Sequence, residues 1–149
     1  MTATGHAIIG TVIAAKIGNP YLAIPIAILS HVAADAFPHW DTGTNRKKKS
    51  RTRFWIDSLI DLAISLTLPL FLGPFLNPST SLAYIYLIVI AAQLLDWLTV
   101  PYLFLKINIR PFTWIQQLQL SFDNRLDKPW GVITQAAILL FLIIFAKLI

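Results

Sequence analysis

Long apolar runs separated by short polar breaks organise this chain. The runs Ala3–Ile17, Tyr21–Phe37, Phe54–Leu72, Ser81–Leu105 and Pro129–Leu148 carry very few charges, and each predicts an α-helix embedded in a bilayer. Gly18-Asn19-Pro20 stops the first run. Pro38 ends the second, because the residue before a proline is pushed out of the helical region. Gly73-Pro74 and Asn77-Pro78-Ser79 predict the loop after the third. Between the last two runs the pattern changes. Ile115, Leu118, Phe122 and Leu126 recur at steps of three and four, with Gln116, Gln119, Asp123 and Asp127 off that stripe. Arg110–Lys128 therefore predicts an amphipathic helix lying at the membrane interface, with Asp123 and Asp127 as surface groups. The expected fold class is all-α: one transmembrane domain over residues 1–149, a bundle of about five membrane-embedded helices.

Composition agrees. The chain is 56% hydrophobic and 13% charged, whereas soluble domains carry about 25% charged residues. Cysteine is absent, which excludes disulfides, thiolate metal sites and cysteine nucleophiles. His6 interrupts the first run where a signal peptide would be purely apolar, so this segment reads as retained. Six of the twelve Lys and Arg residues lie between Arg46 and Arg53. This clustering beside apolar runs reads as a positive-inside signal rather than a nucleic-acid surface. It predicts a multi-pass protein of the cell (inner) membrane with a cytoplasmic N-terminus, leaving Lys16 and Lys147 outside.

On that topology the chemistry gathers at one depth. All three His and all seven Asp fall in the cytoplasmic half, and the chain has no Glu. Ionisable groups inside a bilayer are costly, and their presence there marks a functional site. His31 and Asp35 stand four residues apart and share a helix face, as do Asp57 and Asp61 on the next helix. Two carboxylates on one face repel unless a cation or shared proton offsets them. The predicted metal ligands are His6, His31, Asp35, Asp41, Asp57 and Asp61, with Asp35, His39 and Asp96 as catalytic groups. Mixed His/Asp ligation suits Zn, Mn or Fe(II), or Mg with the imidazoles outside the coordination sphere. Lys47, Lys48, Lys49, Arg51 and Arg53 are candidates for holding an anionic head group.

The segments Thr4-Gly-His6-x3-Gly10 and Ser30-His31-Val-Ala-Ala-Asp35-x-x-Pro38-His39-Trp-Asp41 resemble the small bacterial and archaeal proteins grouped as membrane-bound metal-dependent hydrolases. Those proteins open on a His-x3-Gly helix and carry a Leu-rich helix ending in a Pro turn with Asp and His. Many carry a further His-rich segment after the turn; here Arg46–Arg53, Asp57 and Asp61 stand in its place. The resemblance implies a divalent-metal hydrolase. The depth of the site implies an amphiphilic substrate drawn from membrane lipid, with a phosphoester as the chemistry that suits the basic loop. Homo-oligomerisation stays open, and so do two other functions for the same residues: a non-catalytic membrane scaffold or subunit, and a metal or proton transporter.

Overall fold

Polar side chains start the helices at the breaks between apolar runs. Thr2, Asn19, Ser50 and Ser81 each accept a hydrogen bond from a backbone N–H of the first turn that follows, which satisfies donors that helix geometry leaves unpaired. The computed structural model describes residues 1–149 and contains seven α-helices and no strands. They are α1 (Ala3–Lys16), α2 (Pro20–Ala36), α3 (Arg51–Leu76), α4 (Leu82–Ala92), α5 (Leu94–Leu103), α6 (Arg110–Phe122) and α7 (Trp130–Leu148), with a 3-10 turn at Arg46–Lys48.

The helix α1 is the centre of the bundle, packed against α2, α3, α4 and α7. Every residue from Gly5 to Thr11 is buried. A helix that is apolar all round belongs inside such a shell. The closest approach is to α4 at Gly10, where an added Cβ would lie 2.9 Å from Val89 Cα and 3.2 Å from Ile88 O. Gly10→Val is therefore expected to force α1 and α4 apart and lower stability by about 1–3 kcal/mol, as overpacking does. Thermal unfolding in detergent measures this; an unchanged midpoint would mean the two helices separate freely.

Two helices, α3 and α7, are long and apolar enough to cross a membrane, and α4 with α5 makes a third if the bent pair is one span. The structure thus has two or three candidate spans by length and composition, where each apolar run suggested one. The difference lies in α1, 14 residues, and α2, 17 residues, both short for a hydrocarbon core of ~30 Å. Outward on α3 and α7 are Leu59, Ile60, Phe71, Phe75, Ile133, Leu140, Phe141 and Ile144, all exposed. Contiguous apolar surface of that kind needs a partner or a membrane.

Two further expectations are corrected. The third helix does not end at Leu72 but runs through Gly73 and Pro74 to Leu76. Gly73 is held there because Ile85 occupies the space its Cβ would fill. The run 81–105 is not one helix: it breaks at Gln93 (φ −98°, ψ 4°) and turns by 56°. Gln93 is 1% exposed, and its Nε2 donates to Ala3 O at 2.8 Å. The break is tied to the start of α1.

The bundle has two unlike ends. At one, Asn77 Nδ2 donates to Ala15 O at 3.0 Å and Lys147 Nζ to Phe75 O at 2.7 Å, close to Lys16. The remaining Lys and Arg flank or occupy the segments that join helices at the opposite end. That end carries the His/Asp cluster.

Candidate metal centre

Asp35, near the C-terminus of α2, is the centre of the cluster. Its side chain is 6% exposed. Oδ1 lies 3.2 Å from His6 Nε2 and 3.9 Å from His39 Nε2, and Oδ2 lies 3.3 Å from His31 Nε2. Three imidazoles from α1, α2 and the turn after it thus converge on one carboxylate. All three are at most 1% exposed.

The outer nitrogens set the tautomers. His31 Nδ1 lies 2.8 Å from Ala92 O, and His39 Nδ1 lies 2.8 Å from Phe37 O. A carbonyl only accepts, so each Nδ1–H donates, and each Nε2 faces Asp35, with a lone pair in the neutral ring or a second N–H in the imidazolium. Ala92 O is available because α4 ends at the Gln93 break. Backbone carbonyls that orient imidazoles in this way accompany metal-ligating histidines. His6 stacks on His31, ring centroids 3.8 Å apart, and neither of its nitrogens has a hydrogen-bond partner.

A second group adjoins the first. His39, Asp41 and Asp123 offer ligand atoms within 4.8 Å of one another, as His6, His31 and Asp96 do. The backbone builds this juxtaposition. Asn124 N–H donates to Asp35 O, His39 N–H to Asn124 O and Leu126 N–H to His39 O, so the segment after α6 lies along the turn after α2. Asp123 Oδ1 faces His39 Nε2 at 3.2 Å, and Arg125 holds Asp123 Oδ2 at 2.6 Å and Asp41 Oδ2 at 3.1 Å. Burial alone would raise the carboxyl pKa of Asp123. The neighbouring His39 and Arg125 outweigh it and hold Asp123 below the usual carboxylate range.

Where an Nε2 is unprotonated, its lone pair and the Asp35 oxygens need positive charge between them. The Met1 ammonium supplies some: it contacts Asp35 Oδ1 and lies 2.7 Å from His39 Nε2. A cation thus sits where the acceptors converge. The group His6, His31 and Asp96, and beside it the group His39, Asp41 and Asp123, can each hold a divalent metal ion.

The structure does not bring Asp57 and Asp61 into the cluster. Asp57 pairs with Arg53 Nε at 2.8 Å and Lys49 Nζ at 3.6 Å. Asp61 accepts from Ala3 N, Thr4 N and Thr4 Oγ1 at 2.7, 3.1 and 2.6 Å, and so holds the first turn of α1. The unpaired N–H groups of that helix start, with their positive dipole end, claim the carboxylate. Lys49 is turned inward onto Thr42 O, while Lys47, Lys48, Arg51 and Arg53 are exposed. Asp96 is not a mid-helix group but lies in the first turn of α5. Its side chain is 40% exposed and Oδ1 stands 3.7 Å from His31 Nε2.

Sequence reasoning missed Asp123, Arg125 and Gln119. The helix α6 presents its polar stripe to the protein, with Gln116 and Gln119 buried and Trp114, Leu118 and Leu120 exposed. Gln119 Nε2 donates to Asp96 Oδ1 at 3.3 Å and lies 3.3 Å from His31 Nε2. The spacing of Gln116, Gln119 and Asp123 at i, i+3 and i+7 was the available signal.

A cavity of 260 Å³ adjoins this group. Trp55, Leu59, Leu62, Trp97, Leu103 and Phe104 line its apolar side, and Asp96, Gln93, Gln116 and Gln119 its polar side. No protein-family model, curated protein or solved structure matches the chain.

Proposed function

We propose that this protein is a multi-pass membrane hydrolase that uses a divalent metal, from the cytoplasmic side, to cleave an amphiphilic phosphoester. The observation that carries the reading is the convergence of three buried imidazoles and Asp35 with the Nδ1–H groups of His31 and His39 held by backbone carbonyls. The resemblance of His6–Gly10 and His31–Asp41 to the membrane-bound metal-dependent hydrolases supports it. In this reading all the apolar runs lie at membrane depth, with α1 and α2 as a short hairpin sheltered by the longer helices. The basic end faces the cytoplasm by the positive-inside rule.

Zn, Mn or Fe(II) suits the mixed donors; held by the His6, His31, His39 and Asp35 side chains, such an ion would make water more acidic and offset charge on the departing group. The protein's own residues do the rest. Asp96, part-exposed at the cavity and oriented by Gln119, takes the proton of the attacking water. The new oxygen–phosphorus bond forms as the bond to the lipid alkoxide breaks, and the proton passes to that alkoxide. The cavity beside Trp55 and Trp97 takes the apolar part of the substrate, and Lys47, Lys48, Arg51 and Arg53 attract its phosphate. A transporter would need a polar path to the far end, where Ile13, Leu72, Leu76 and Ile85 are packed together.

The test is elemental analysis of detergent-purified protein, followed by release of inorganic phosphate from phosphatidic acid in mixed micelles. Wild type is expected to retain metal and release phosphate, and His31→Ala to do neither. Protein without metal, or hydrolysis indifferent to His31→Ala, overturns the proposal.

A further inference from the structure

The acceptor groups form two sets, not one. His6, His31 and Asp96 make the first, and His39, Asp41 and Asp123 the second. Asp35 stands between them, with Oδ2 at 3.3 Å from His31 Nε2 and Oδ1 at 3.9 Å from His39 Nε2. Each set keeps buried polar atoms that no protein group satisfies: both nitrogens of His6 in the first, Asp123 Oδ1 in the second. Asp123 Oδ1 and His39 Nε2 face each other at 3.2 Å, and in the neutral ring the single His39 proton goes to Phe37 O. Two acceptors that close need a cation or a further proton between them. Arg125 does not fill that role, because it binds the other oxygen, Asp123 Oδ2; the Met1 ammonium lies 2.7 Å from His39 Nε2, so a second ion bound there takes the place of that ammonium.

We propose that the site holds two divalent cations side by side, bridged by the Asp35 carboxylate, with the second held by His39, Asp123 and Asp41. The inference rests on the metal reading above and adds a second position to it. Paired ions about 3.5–4 Å apart are the arrangement that clamps both the attacking and the leaving oxygen of a phosphoester. Arg125, bound to Asp41 and Asp123, fixes the two carboxylates that flank the second ion and stands beside it as a further anchor for a phosphate oxygen.

Mn(II) is the probe. Detergent-purified protein, stripped of metal and equilibrated with Mn(II), is expected to bind two ions per chain by elemental analysis and to give an exchange-coupled electron paramagnetic resonance signal. Asp123→Asn, which keeps shape and hydrogen bonding to Arg125, is expected to bind one ion and give an uncoupled signal. His39→Gln removes the same position independently, and His31→Gln is expected to leave only the second. Size-exclusion profiles identify any variant that does not fold. One ion in wild type, unchanged by Asp123→Asn, overturns the second position and leaves the hydrolase reading standing. No bound Mn(II) overturns both. Two ions in Asp123→Asn and His39→Gln alike overturn the ligand assignment.

Discussion

Asp35→Ala is expected to abolish metal retention and to destabilise the protein by about 3–5 kcal/mol, the range for removing one partner of a buried charged pair. The carboxylate is 6% exposed and is the shared neighbour of His6, His31, His39 and the Met1 ammonium. Removing it leaves the ammonium buried without its counter-charge and three Nε2 atoms facing a hole. Asp35→Asn separates the two effects. It keeps the volume and one acceptor oxygen, so it is expected to fold better than the alanine variant while still failing to retain metal. Thermal unfolding in detergent and elemental analysis read the two quantities. An Asp35→Ala protein with wild-type metal content and unfolding midpoint would show that Asp35 is peripheral and that the cluster is organised around something else.

The second large effect is expected far from any ligand atom, at the start of α7. A Cβ on Gly131 would lie 2.0 Å from Leu126 O and 2.9 Å from Trp40 N. These are backbone atoms and cannot rotate away. Gly131 N–H also donates to Asp127 O, and Trp40 N–H donates to Gly131 O, so three segments meet on this residue. Gly131→Ala must push the 123–126 segment away from the turn after α2. That segment carries Asp123 and Arg125. The expected cost is about 1–3 kcal/mol from overpacking, accompanied by loss of Mn(II) from the His39–Asp123 position while the His6–His31 position persists. Gly18→Ala is the control: nothing lies within 4 Å of its added Cβ, and neither quantity is expected to change. Full metal occupancy in Gly131→Ala would mean that the close contact relaxes without moving Asp123.

Much of the site was legible because its core is local. His31 and Asp35 are one helical turn apart in an apolar run, Pro38 ends that run, and His39 and Asp41 follow at once, so chain connectivity alone holds them together. Asp57 and Asp61 show where that logic stops. Their spacing equals that of His31 and Asp35, yet Asp61 holds the first turn of α1 and Asp57 pairs with Arg53 and Lys49. Spacing tells which residues share a face, and only the neighbouring element tells what that face meets.

The helix α6 makes the same point in the opposite sense. Its period of three and four marks an amphipathic helix, but the polar stripe does not face outward. The side of α6 that faces the site is polar and its exposed side is apolar, so Gln116 and Gln119 are buried while Leu118 and Leu120 are exposed. The break at Gln93 had no local cause, since neither Gly nor Pro interrupts Leu82–Leu94. A hydrogen bond to Ala3 O, from a helix ninety residues earlier, fastens it, and the freed Ala92 carbonyl then orients His31.

The order of apolar and polar residues was sufficient to determine an all-helical protein with spans fit for a membrane, and to gather its basic loops, imidazoles and carboxylates at one end. Those features depend on hydrophobic burial and on the turn of a single helix, which are properties of short stretches of chain. The tertiary structure alone decided which carboxylates join the imidazoles, because that choice is made by competition among groups distant in sequence: a helix start takes Asp61, two cations take Asp57, and the fold of 123–126 onto the turn after α2 delivers Asp123.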